Sequence, residues 1–148
     1  MNPEFLFTVF NSAALVGWLL LVFAPRWKYT RPAIFSGLIL GFAALYVLLI
    51  VSSFGKTPGG GFGSLGQVGR LFDNPVALLA GWVHYLAFDL LVGCWMSADA
   101  RRTGVAHLAV VPCLLLTFLF GPFGLLLYRL VRLYKKSTLF IDTHENAA

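Results

Sequence analysis

The chain has 148 residues, of which 59% are hydrophobic and only 11% charged, with a formal net charge of +5 at pH 7. A water-soluble domain carries about a quarter charged residues, so this composition excludes a soluble enzyme or a nucleic-acid-binding module and points to a protein that folds in lipid. Two cysteines in the whole chain are too few for a disulfide scaffold.

Four stretches, 5–24, 32–52, 76–97 and 107–130, are long and apolar enough to cross a hydrocarbon layer about 30 Å thick, which takes roughly 20 helical residues. They predict an all-α membrane protein, a four-transmembrane-helix bundle. A single domain over 1–136 is followed by a short polar C-terminal tail, 137–148. The first stretch opens on an acidic residue, Glu4, and runs into Pro25, Arg26, Trp27 and Lys28 without a small-residue cleavage site, so it reads as a retained span rather than a signal peptide. No Arg-rich, Ser-rich transit segment precedes it, which predicts either a bacterial inner-membrane protein or a chain already trimmed of such a segment.

The turn from Pro25 to Pro32 makes the first two spans antiparallel neighbours, with Trp27 and Tyr29 suited to the head-group layer. Ala13 with Gly17, and Gly37 with Gly41, have the spacing of small residues that let membrane helices approach closely. In the connection 54–75, Leu65, Val68, Leu71 and Phe72 recur at helical spacing after Ser64, predicting a short interfacial helix with Ser64 as its N-cap. Gly61, Gly63 and Gly66 match the dinucleotide-binding fingerprint literally, but no strand precedes them; a flexible loop or lid is the better reading. Pro112, Gly121 and Pro122 should bend the fourth span, which ends in a basic aromatic collar from Tyr128 to Lys136. Cys94 and Cys113 read as apolar packing groups.

If the spans alternate, the face with both termini and the long loop carries six of the eleven Lys and Arg residues, and the opposite face five. The dense C-terminal cluster tips this toward both termini being cytoplasmic, with anionic lipid head groups as partners of the basic residues.

The third span carries His84 and Asp89 near its middle. An ionisable group at bilayer depth costs a few kcal/mol, which makes a functional site the default reading. Helical geometry puts the two about 140° apart around the axis and roughly 7.5 Å apart along it. They are not a same-face pair, and a metal site on this helix alone is disfavoured, because two ligands want spacings of three or four residues. Tyr85 does share a face with Asp89. Depth counting brings Asn11 and Tyr46 near His84 and Thr117 near Asp89, although interhelical hydrogen bonding is the commoner use of such residues. A secondary polar cluster, Asp99, Arg101, Arg102 and His107, reads first as a hydrated turn at the lipid phosphates.

The pattern Gly81, Trp82, His84, Asp89, Leu90 and Gly93, then a short basic turn, His107, and Gly121, Pro122, Gly124 and Leu125 resembles the abscisic-acid-deficient-four family of small membrane proteins, which plants need to make neoxanthin. The resemblance implies carotenoid chemistry of an acid–base isomerase type: opening a xanthophyll 5,6-epoxide to an allenic alcohol, or trans-to-cis isomerisation. Such chemistry is redox-neutral and demands no cofactor. On this reading Asp89 is the acid and His84 the base. Trp82, Tyr85 and Phe88 offer their faces to cationic character in the transition state, and Asn11, Tyr46 and Thr117 complete the substrate-binding set. The partner is a carotenoid or other isoprenoid lipid, with homo-oligomerisation compatible. A non-catalytic carotenoid- or lipid-binding protein serving a partner enzyme, and a small transporter using the buried aspartate, are the competing readings.

Overall fold

The computed structural model describes residues 2–136. The expected polar tail, 137–148, lies outside the described residues. Of the described residues 82% are helical, and none is in a strand. The elements are α1 (Pro3–Phe23), α2 (Thr30–Pro32), a π-helical segment (Ala33–Ile39), α3 (Leu40–Ser53), α4 (Leu65–Phe72), α5 (Pro75–Thr103), α6 (His107–Phe120) and α7 (Pro122–Lys136). Three continuous helical runs are long and apolar enough to cross a membrane: Pro3–Phe23, Thr30–Ser53 and Pro75–Thr103.

The start and stop signals explain these boundaries. Asn2 accepts hydrogen bonds from the Glu4 and Phe5 amides at 3.0 and 3.4 Å, and Pro3 occupies the first helical position, where its missing N–H costs nothing. The Ser64 hydroxyl accepts from the Gln67 amide at 3.2 Å, so the expected interfacial helix begins at the expected cap. α5 overruns its apolar stretch by six residues, from Ser97 to Thr103. Hydropathy marks where a span leaves lipid, whereas Ala and Arg are good helix formers. The helix stops at Gly104, whose φ is 69°, and the Val105 amide bonds back to the Ala100 carbonyl at 2.9 Å, the pattern of a Schellman cap.

The fourth predicted span is not one helix, which corrects the expectation of a single bent span over 107–130. α6 keeps Pro112 in its interior, and the break falls instead at Gly121, with φ 51° and ψ −104°, a conformation that a side chain strongly disfavours. The 14 residues of α6 extend only about 21 Å. α7 then packs against α6.

The chain divides into two compact units, the first ending at Leu91 and the second beginning at Val92. In the first, close packing centres on Gly17: a Cβ there would lie 2.9 Å from both Leu38 Cδ1 and Leu90 Cδ2. Gly37 and Gly41 have nothing within 4 Å of the corresponding position, so that pair is not the helix contact its spacing suggests.

In the second unit, Gly124 sits so close to α6 that a Cβ would collide with Thr117 and with the Cys113 carbonyl. Cys94 and Cys113 are both free and buried.

Candidate functional site

In the first unit, a cavity of about 380 Å³ opens between α3, α5 and the 54–72 connection. Tyr46, Ile50 and Ser53 come from α3, Ala77, Gly81 and His84 from α5, and Phe54, Phe62, Leu71 and Phe72 from the connection. The Gly-rich stretch is held over it by Gln67, whose side-chain carbonyl accepts from the Gly63 amide at 3.0 Å while its backbone carbonyl accepts from Gly61 at 3.2 Å. These glycines thus let a loop approach α4, in place of any phosphate. α4 is seated by its last residue: a Cβ at Gly81 would lie 2.9 Å from the Phe72 ring, so the aromatic occupies the space that a larger residue at 81 would take.

His84 is the one cavity-lining group with ring nitrogens able both to accept and to donate a proton. Its ring stacks on Phe88 with centroids 4.4 Å apart and faces Tyr46 at 5.4 Å. It lies nine residues from the start of α5, about 13.5 Å along the axis. The cavity therefore leads from the 54–72 connection to the imidazole.

The other predicted residues go elsewhere. Trp82 projects from another side of α5, where its indole N–H donates to Asn11 Oδ1 at 2.8 Å and its ring meets Phe7 and Tyr85 with centroids 5.8 and 5.5 Å apart. Asn11 thus ties α1 to α5. Asp89 is hydrogen-bonded to the Tyr85 side chain. Its buried Oδ2 has no hydrogen-bond partner among the described residues, and it is not part of the cavity wall. Helical spacing separates His84 from Asp89, and the structure gathers His84 with Tyr46 and Phe88, and Trp82 with Asn11 and Tyr85. Thr117 is fully buried in the second unit, its hydroxyl donating to the Cys113 carbonyl at 2.9 Å.

The secondary cluster divides by exposure. Arg101 and Arg102 are exposed and His107 is half-buried, but Asp99 turns inward. Its Oδ2 accepts from the Tyr128 hydroxyl at 2.6 Å and pairs with Arg132 Nε at 3.0 Å, while Tyr128 stands edge-on to Trp95. In sequence Tyr128 and Arg132 stand out only as parts of the basic collar; their spacing of four residues, which puts both on one helix face, is the available signal. Among the described residues, no three His, Cys, Asp or Glu side chains form a group able to hold a metal ion.

A model of the family described as ABA DEFICIENT 4-like matches residues 5–128 of the chain. No curated protein and no solved structure matches it.

Proposed function

The chain belongs to the ABA DEFICIENT 4-like family, a membership that points to a carotenoid- or neoxanthin-related pathway, and from that premise we propose that it isomerises a carotenoid or related isoprenoid inside the membrane by acid–base chemistry in the cavity beneath the 54–72 connection. The observation that carries this reading is the meeting of His84 and Tyr46 in a largely apolar hollow of about 380 Å³. Sites for small molecules run roughly from 300 to 1,000 Å³, so this one suits a single cyclic end group, with the polyene left in lipid. Entry from the loop end also lets a ring hydroxyl stay near the head groups while the reacting carbons reach the imidazole.

In this reading His84 is the base that removes a proton next to the epoxide. Tyr46 donates to the oxygen released as the C–O bond breaks, and the proton on His84 then restores Tyr46. No electrons are gained or lost. The role of acid passes from Asp89 to Tyr46, because Asp89 is paired with Tyr85 outside the cavity wall. Phe54, Phe62 and Phe72 contribute apolar contact for the ring, and Phe88 positions the imidazole by stacking.

The test is conversion of an epoxy-xanthophyll by the full-length protein in membranes. His84→Ala and Tyr46→Phe are expected to lose it, and Asp89→Asn to keep it. Loss in Asp89→Asn with retention in Tyr46→Phe would restore the roles drawn from sequence. Full activity in all three would overturn the site. A second reading, a carotenoid-binding protein without catalysis, draws on the largely apolar cavity wall; it predicts pigment that co-purifies unchanged and is retained by His84→Ala.

A further inference from the structure

We propose that α6 and α7 form a re-entrant hairpin, which enters and leaves the bilayer at one face, and that the basic end thus gathered rests on the anionic head groups of the cytoplasmic leaflet. Three observations within the second unit carry this.

The first is direction. Gly124, near the start of α7, is pressed onto α6 beside Thr117 and Cys113, one to two turns back from where α6 ends. Further along, Tyr128 meets Trp95 and Asp99, and Arg132, one turn later, meets Asp99. Asp99 lies four residues before the end of α5, and only three residues separate α5 from α6. α7 therefore returns toward the end of the unit where α6 begins. An α6 of about 21 Å is in any case shorter than the hydrocarbon layer of about 30 Å.

The second is the sidedness of α7. It buries Gly124, Tyr128 and Arg132, at intervals of four, and exposes Phe123, Leu126, Leu130 and Tyr134. A helix lying against water turns its apolar stripe inward. α7 does the reverse, which fits lipid outside and an internally paired ion.

The third is charge. With α7 folded back, exposed Lys135 joins exposed Arg101 and Arg102 at one end, and Tyr134, 95% exposed, suits the interface beside them. Lys and Arg near span ends favour the cytoplasmic side, where anionic lipids attract such residues. The even split of charge between faces, which rested on α7 completing a crossing, no longer holds.

The test uses the full chain with Cys94 and Cys113 replaced by alanine and single cysteines placed at Asp73, Ala106 or Tyr134. A membrane-impermeant maleimide is applied to right-side-out and inside-out vesicles of a bacterial expression host. Ala106→Cys and Tyr134→Cys are expected to label in inside-out vesicles, and Asp73→Cys, at the other end of α5, in right-side-out ones. Labelling of Tyr134→Cys on the same side as Asp73→Cys and opposite to Ala106→Cys would show α7 crossing and overturn the hairpin. Labelling of Ala106→Cys and Tyr134→Cys together in right-side-out vesicles would overturn the assignment to the cytoplasmic leaflet.

Discussion

α5 carries two ionisable groups, His84 and Asp99, into two differently built surroundings. At its N-terminal end, His84 lines an open cavity, and its ring stacks on Phe88 and contacts Tyr46. Towards its C-terminal end, Asp99 is 9% exposed and is held by Tyr128 and Arg132. Both residues are costly in an apolar protein, yet the second is answered from within the fold and the first faces a space where something else can answer it. Polarity inside a membrane helix thus separates into ties that close the structure and groups available for chemistry, and the two classes should respond differently to substitution.

The largest effect is expected in the second unit. Gly124→Val would place side-chain atoms where the α6 backbone already lies, and no rotamer relieves a clash with backbone. Loss of folded protein in detergent, followed by size-exclusion chromatography, is the expected outcome. Next, Arg132→Met leaves the Asp99 carboxylate buried without its cation. Breaking a buried pair in this way costs about 3–5 kcal/mol, read as a large fall in the thermal unfolding midpoint, whereas the double variant Asp99→Asn, Arg132→Met is expected to recover much of it. If the double variant is no better than the single, the pair is not what closes this unit.

The first unit should show the opposite balance. His84→Ala is expected to lower conversion by about 10²–10⁴-fold, the usual contribution of a positioned acid or base, while moving stability by no more than about 0.5 kcal/mol, as for other substitutions away from buried networks. A matching loss of stability would make His84 another structural tie and erase the contrast. Trp82→Phe removes the hydrogen bond to Asn11 and keeps the ring contacts; interhelical bonds of this kind contribute about 0.6 kcal/mol, so a small drop in unfolding midpoint with unchanged conversion is the expected result.

How far this division could be read in advance depends on whether its signals are local. Three spans, the Ser64 cap and the α4 helix were legible because hydropathy over about 20 residues and a hydroxyl before an apolar periodic run act on the nearest few residues. The separation of His84 from Asp89 was legible for the same reason, since it needs only 100° per residue. The return of α7 was not. Gly121 and Pro122 signal a break, but a bend and a reversal begin with the same residues, and only the contact between Gly124 and Thr117 chooses between them. Asp99 and Arg132 are 33 residues apart in sequence, so their pairing became visible only once the reversal was known. Nor could the sequence say that His84 would face a cavity, because that depends on the path taken by Phe54 through Phe62.

The small residues offer the mildest test, since one spacing rule proved right at one place and wrong at another. Gly17 lies under Leu38 and Leu90, with space for a methyl group only if both leucines yield; Gly17→Ala is therefore expected to cost about 1–3 kcal/mol through overpacking. Gly37 and Gly41 have open space where a Cβ would go and no positive φ, so Gly37→Ala and Gly41→Ala should stabilise the helix by about 0.4–1 kcal/mol by restricting the unfolded chain. The three variants compared by thermal unfolding in one detergent distinguish a glycine kept for close approach from one that merely repeats the spacing. Destabilisation by Gly41→Ala equal to that of Gly17→Ala would mean that the exposed side of α3 meets a partner, and a second copy of the chain would be the first to look for by crosslinking.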